Sequence, residues 1–399
     1  MDIQNILAIV FLAVLIIFLY IERKKLETQK ILFPIFYFIL YKTKLGIKYM
    51  DSLAKKWPRA INVLSYLGII FGFIGMALIS FELIRSLVTM FTHPQNAAAV
   101  ALVLPFETSF KGTIAVPFFY WIISIFLIAT VHEFSHGVVA RLNKVKINSS
   151  GFAFLSVIIP IIPAAFVEPD EKQMSKKSVK TQLGVLAAGP FSNILFALII
   201  FLVITFLMAP LVNSMVVYDG VKIVDITKGA SNSNIIYPAE LAGMQSGEII
   251  NSLDGTQINY VTNFTYLMEG KTAGDTLLIS TNINSYNVTL AENPGNSTKG
   301  FLGVSAEQSY SPKSGISQNY PWVFPIVMWF SGLFTWLFIL NLGIGLFNLV
   351  PLGPIDGGRM VSVILTKWFG KKTGGRLWGI ISFIFLAVLV ALFLMAFLK

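Results

Sequence analysis

Apolar residues run along this chain in long stretches, with polar residues gathered into short segments between them. Six stretches are close to or beyond the length of a membrane-crossing helix: about 6–21, 61–90, 117–140, 182–208, 322–350 and 377–398. They are apolar all round and not on one face, which marks a helix with apolar surroundings on every side. About 20 such residues cross about 30 Å of hydrocarbon. The pattern predicts a polytopic α-helical membrane protein with about six transmembrane helices. The first stretch ends in Glu22-Arg23-Lys24-Lys25 with no small-residue cleavage site, so it reads as a membrane anchor and not as a signal peptide.

Two other apolar pieces fit less well. Residues 31–40, ILFPIFYFIL, are too short to cross and contain Pro34, which suggests an interfacial or re-entrant segment. Residues 151–167, GFAFLSVIIPIIPAAFV, are barely long enough and carry Pro160 and Pro163, with lysines on both flanks. This segment is expected to dip in and return, because non-helical backbone at membrane depth is tolerated only against protein or a wet cavity. Between the fourth and fifth runs the pattern changes. VKIVDIT, LLISTNI and YNVTL alternate as strands do, SLDGTQI holds an Asp-Gly hairpin turn, and PAELAG and YVTNFTYLMEG read as short helices closed by glycine. Residues 209–321 are therefore expected to form a small α+β domain. The phrase PAELAGMQSGEIINSLDG resembles the helix, strand and turn of protease-associated PDZ modules, which bind peptides at a sheet edge.

Composition sharpens the picture. The chain is 55% hydrophobic and only 13% charged, about half the charge of an ordinary soluble domain. It has no cysteine, so any metal must be held by His, Asp or Glu. The net charge of +10 does not point to nucleic acid, because 22 of the 30 Lys and Arg fall in segments 22–60, 141–148, 168–181 and 359–376, beside the apolar runs. That is the bias of cytoplasmic loops. With the N-terminus outside, all four land in the cytoplasm. Segment 209–321, with 5 basic and 9 acidic residues, then lands outside. The expected location is the cell membrane, multi-pass, with the lipid bilayer as partner.

The chemistry sits in the third run, where His132-Glu133-Phe134-Ser135-His136 interrupts apolar sequence. On a helix His132 and His136 share a face and can bind one metal ion, with Glu133 beside them as a candidate base. Ionisable groups inside a span are costly and functional by default. The third histidine, His93, lies in a loop next to Pro94 and is given no role. A further acid, Asp356, lies in Asn348-Leu-Val-Pro-Leu-Gly-Pro-Ile-Asp356-Gly-Gly-Arg359. By its own sequence it is equally an N-cap of the following helix or a third metal ligand. Asn348, Asn193 and Asn341 are polar intruders in apolar segments. Asn348 could hold a substrate carbonyl; Asn193 and Asn341 could position substrate or make helix–helix hydrogen bonds. Gly184, Ala187, Ala188 and Gly189 read as tight helix packing.

HEFSH in one span, AGPFSN (188–193) in the next and NLVPLGPIDGGR later together resemble the site-2 protease family of intramembrane zinc metalloproteases. The resemblance covers roughly 115–370; Leu352-Gly353 stands where the family usually has a proline or small residue. It implies one zinc ion on His132, His136 and Asp356, with Glu133 activating water. The domains it suggests are 1–115 (N-terminal helices and a basic loop), 116–208 (first half of the catalytic core), 209–321 (extracytoplasmic PDZ-like domain) and 322–399 (second half of the core). The function implied is intramembrane endoproteolysis of single-span substrates, as in regulated intramembrane proteolysis, with the active site toward the cytoplasm. Two rivals are an inactive scaffold that binds peptides through the PDZ-like domain and a metal-ion transporter. The complete His, Glu, His and Asp set argues against the first, and the absence of repeat symmetry against the second.

Overall fold

The computed structural model describes residues 3–32, 36–92, 101–106, 112–157, 159–227 and 236–398. Pro34 and His93 lie outside the described residues. The chain divides into two compact units, Met1–Thr205 with Phe330–Lys399, and Phe206–Trp329.

The first unit begins with α1 (Ile3–Ile21), strands β1 (Leu26–Leu32) and β2 (Phe36–Thr43), the short α2 (Ile47–Lys56) and the long α3 (Pro58–Thr92). A small pair, β3 (Leu102–Leu104) and β4 (Thr113–Ala115), leads into α4 (Phe118–Leu142). Strands β5 (Ile147–Val157) and β6 (Ile159–Pro169), the single turn α5 (Glu171–Met174) and α6 (Val179–Val203) follow. Among the described residues five helices are long and apolar enough to cross a membrane: Pro58–Thr92, Phe118–Leu142, Val179–Met215, Val323–Phe347 and Asp356–Ala396. The sixth expected span, at the N-terminus, offers only the shorter apolar stretch Ala8–Ile21.

Residues 31–40 and 151–167 differ from expectation in kind. Neither is an isolated dip. The described residues of both belong to one four-stranded antiparallel sheet in the order β1-β2-β5-β6. Their Phe, Tyr, Ile and Val content suits strands, and pairing four segments satisfies backbone groups that a lone dip would leave bare. Segment 151–167 turns back on itself as the β5–β6 hairpin and supplies no seventh helix. In the last strand, Pro163 shares its edge with Ala165 and Val167, away from β5. Proline costs no ladder hydrogen bond there.

The helices pack through small residues. Gly68, Gly72 and Gly75 of α3 meet Phe191, Met360 and Leu349, and Gly184 of α6 meets Ser65. Met76, Leu183, Leu186, Ala187, Leu349 and Met360 form one buried cluster between these elements. Small residues at such contacts let helices approach closely where water supplies no driving force.

The second unit runs from the end of the α6 helix through α7 (Ala209–Met215), β7 (Val216–Ile226), α8 (Pro238–Leu241), β8 (Ile249–Leu253), β9 (Thr256–Gln257) and α9 (Val261–Glu269). Strands β10 (Thr276–Thr281), β11 (Ser285–Thr289), β12 (Ala291–Asn293), β13 (Asn296–Phe301) and β14 (Val304–Pro312) and the turn α10 (Ser314–Asn319) complete it. Its main sheet has the order β11-β10-β8-β7-β14. The inward positions Val221, Ile223, Ile250, Leu253, Leu277, Ile279 and Val288 form its core. From here α11 (Val323–Phe347) and α12 (Asp356–Leu398) return to the first unit, and α12 is broken at Gly370, with φ 76°.

The Asp-Gly turn sits between β8 and β9, with φ 50° at Asp254 and 79° at Gly255. Asp254 accepts from Lys271 Nζ and from the Leu278 N–H, each at 2.9 Å. The Lys271 ammonium, with that N–H, holds its carboxyl below the ordinary carboxylate range. The stability this adds is complete above the unfolded-state value of about 3.9 and is lost as pH falls through the folded value. Asp254→Asn is therefore expected to flatten the acid dependence of this unit's stability. Hydrogen-exchange protection of β8 and β10 in the full chain, compared between about pH 5 and pH 3 and corrected for intrinsic rates, measures it.

Candidate metal centre

The helical spacing of α4 puts His132 and His136 on one face, one turn apart, and both are buried. Helix α6 lies across that face and presents Val185, Gly189 and Asn193 to it, residues four apart. His136 Nδ1 lies 2.6 Å from the Val185 carbonyl. A carbonyl can only accept, so Nδ1 donates, and in the neutral ring Nε2 keeps a bare lone pair. His132 Nδ1 lies 3.1 Å from Asn193 Nδ2, while Asn193 Oδ1 is buried without a partner. The amide has two orientations with different consequences. With Oδ1 toward the ring, Nδ1 holds the proton and Nε2 is free to bind a metal. With Nδ2 toward the ring, Nε2 holds the proton and donates to Asp356.

Asp356 reaches this point from the other side. Asn348 to Ile355 form a tight irregular loop, and the Gly357 N–H donates to the Asn348 carbonyl at 2.7 Å. A Cβ on Gly357 would lie 2.6 Å from the Val350 carbonyl oxygen and closer still to that of Leu349. Glycine is required for the loop to fold back on the first turn of α12. Of the two roles the sequence leaves open for Asp356, the carboxylate is found on the histidines: Oδ2 is 3.0 Å from His132 Nε2 and 3.3 Å from His136 Nε2.

The two Nε2 atoms are themselves 3.1 Å apart. The three donor atoms thus form a nearly equilateral triangle. Its edges match the roughly 3.3 Å between ligand atoms that a tetrahedral zinc with bonds of about 2.0–2.1 Å requires. His132, His136 and Asp356 could hold one metal ion. Gly189 forms the cradle: a Cβ there would lie 2.5 Å from His132 Nε2 and closer still to His136 Nε2. A two-nitrogen, one-carboxylate set with room beside it fits a zinc site with an open position.

Glu133, next to His132 in sequence, lines the same cavity of about 290 Å³ together with Asn348 and Arg359. Its Oε2 accepts from the Val167 N–H of β6 at 2.9 Å. Arg359 pairs with Glu171 at 2.7 Å on the cavity's rim. Asn193 and Asn341, expected to position substrate or to make helix–helix hydrogen bonds, are not among the residues that line this cavity. Both are fully buried. Asn193 faces the back of His132, and Asn341 Nδ2 donates to the Asn193 carbonyl at 2.9 Å. They stand behind His132 and not on the cavity wall. Gly189, read from the sequence as packing, instead faces the histidines. Its spacing of four from Asn193 was the available signal.

A model of the family described as Peptidase family M50 matches residues 120–392, more than half of the chain. The chain belongs to this family, the site-2 proteases. It is 28% identical over 328 residues to the uncharacterized protein MJ0971 of Methanocaldococcus jannaschii, a match covering 80% of this chain and 75% of that one. It is 24% identical over 272 residues to the zinc metalloprotease RasP of Oceanobacillus iheyensis, and 24% over 268 residues to that of Geobacillus kaustophilus. Each RasP match covers 57% of this chain, and 61% and 60% of the relatives' own length. Family membership makes the chain a multi-pass membrane metalloprotease and zinc its metal.

In this M50 chain, Gly189→Ala is expected to abolish zinc retention, because its methyl occupies the space between the two Nε2 atoms. Asn193→Ala is expected to weaken zinc binding about 10–100-fold, the usual cost of losing a ligand's hydrogen-bonded support. Metal content of the purified variants after dialysis against a graded chelator series separates the two.

Proposed function

We propose that this protein is an intramembrane endopeptidase that cuts within or near transmembrane helices of membrane-anchored substrates, in the manner of regulated intramembrane proteolysis. The observation that carries the reading is the convergence of His132, His136 and Asp356 with Glu133 on the same cavity wall. Zinc, when bound there, supplies Lewis acidity toward water and toward the peptide carbonyl. The chain's own groups do the rest. Val167 holds Glu133 Oε2, which leaves Oε1 to take a proton from water and deliver it to the leaving amine. Asn348, on the cavity wall, offers its amide N–H to the carbonyl oxygen as charge develops there. Asn193 and Val185 fix the imidazoles.

A helical substrate hides its carbonyls in its own hydrogen bonds, so it must unwind locally before cleavage. The outer edge of β6 beside Glu133 offers backbone groups to an extended segment. The basic segments 168–181 and 359–376 flank the cavity through Glu171 and Arg359, which supports an active site toward the cytoplasm with residues 209–321 on the outer side. We read that second unit as PDZ-like: its hairpin at Asp254-Gly255 and its short helices match the phrase that suggested it. Its proposed role is to pass substrates already trimmed outside the membrane, or to dock the trimmed end.

Glu133→Gln is expected to retain zinc and to lose about 10²–10⁴-fold in cleavage of a single-span substrate bearing helix-breaking residues. Wild type and variant are compared in detergent with zinc measured in each; a variant that still cuts at the wild-type rate removes Glu133 as the base. Excision of about 216–310 is expected to raise cleavage of untrimmed relative to trimmed substrate. An unchanged ratio, with zinc retained, removes the filter.

A further inference from the structure

A second cavity lies directly behind the base. Its volume is about 250 Å³, and Glu133 and Val167 line it as well as the metal cavity. These two residues are the partition between the spaces. The second cavity opens between α4 and the sheet. Phe126, Thr130 and Phe134 contribute from α4, at the spacing of one helix face, and Phe152 and Ala165 from the sheet. The Phe126 and Phe152 rings lie 5.8 Å apart and tilted by 32°. Thr130 turns its hydroxyl back onto the Phe126 carbonyl at 2.7 Å, so it adds little polarity. Among the described residues, Glu133 is the sole charged residue on the wall. The space is continuous in lining with the metal centre, and smaller than the roughly 300–1,000 Å³ of a site for a whole small molecule.

We propose that this cavity is a specificity subsite, which takes one apolar side chain of the substrate from within two residues of the scissile bond. The inference rests on the protease reading above. An extended chain advances about 3.3–3.6 Å per residue. A chain lying along the outer edge of β6, with its scissile carbonyl at the metal end, brings a neighbouring side chain past Val167 into this space. Alternate side chains of a strand point the same way, so one position near the cut is selected and the next is not. A leucine-sized group fills the space between Phe126 and Ala165. Glycine leaves it empty, an acidic group meets the like-charged Glu133, and a basic group would pair with the Glu133 carboxylate and occupy the proposed base.

Two measurements on the full chain in detergent test this. The first varies each of four substrate positions around the cut through Gly, Ala, Leu and Phe, and compares kcat/KM. At one position leucine is expected to exceed glycine by at least about tenfold, the scale at which apolar pockets discriminate. Thr130→Leu is expected to move that optimum toward alanine, and Phe126→Ala toward phenylalanine. The second uses the absence of native cysteine. Phe126→Cys in the Glu133→Gln background is oxidised with substrates carrying one cysteine at each position in turn. Cross-linking is expected to peak at the selected position. If wild type cuts but preference and cross-linking are flat across positions, the protease reading stands and the subsite falls, leaving the space to a lipid chain. If zinc-loaded wild type cuts no substrate, both fall together.

Discussion

Three donor atoms converge to within 3.3 Å inside an apolar helix bundle, and the surrounding structure serves to make that arrangement tolerable. A carboxylate and two imidazoles removed from water are costly unless each is partnered. Every element around the site meets this demand. Helix α4 aligns the histidines, and α6 supplies a carbonyl, an amide and a gap along residues 185, 189 and 193. The loop before α12 brings the acid in by irregular backbone that Gly357 and Gly358 permit. The interhelical glycines of α3 belong to the same demand, because α6 and the start of α12 must approach closely for their groups to reach one point.

The sheet serves the site differently. Strand β6 is the edge of its sheet, and an edge leaves backbone donors unpaired. One of them, the Val167 N–H, is satisfied by Glu133. A single hydrogen bond therefore stops an edge donor from being orphaned and holds the Glu133 carboxylate in register with the histidines. Pro163 on the same edge removes another donor without disturbing the ladder. The strand edge is left open only over a short length, next to the Glu133 carboxylate.

The histidines, Glu133 and Asp356 were legible in the sequence because ionisable residues are conspicuous in apolar runs and helical spacing fixes their geometry. The strands of the second unit were legible because one of their faces is buried and the other exposed, so their residues alternate. The four-stranded sheet was not. Its strands at 31–40 and 151–167 are apolar on both faces, so alternation is absent, and short apolar runs do not distinguish strand from helix or dip. The pairing of β2 with β5 joins residues over 100 positions apart, which no local pattern reveals. The roles of Gly189 and Asn193 were hidden for a related reason. A small residue beside an apolar helix reads as packing until the neighbouring helix is known to carry imidazoles.

The orientation of the Asn193 amide links the metal to the fold. One orientation of the amide, with Nδ2 toward His132 Nδ1, puts the ring proton on Nε2, where it joins His132 to Asp356. The other, with Oδ1 toward the ring, puts the proton on Nδ1 and would free Nε2 for a metal; the ring is neutral in both. Asn341, anchored on the Asn193 carbonyl, fixes the backbone that carries this amide. The hydrogen bonds around the three donor atoms therefore hold them at nearly the spacing an ion requires, and the two tautomers of His132 differ by an amide orientation and not by the place of a helix. A site buried among membrane helices gains from this, because rebuilding it around an arriving ion would expose polar backbone that lipid cannot satisfy.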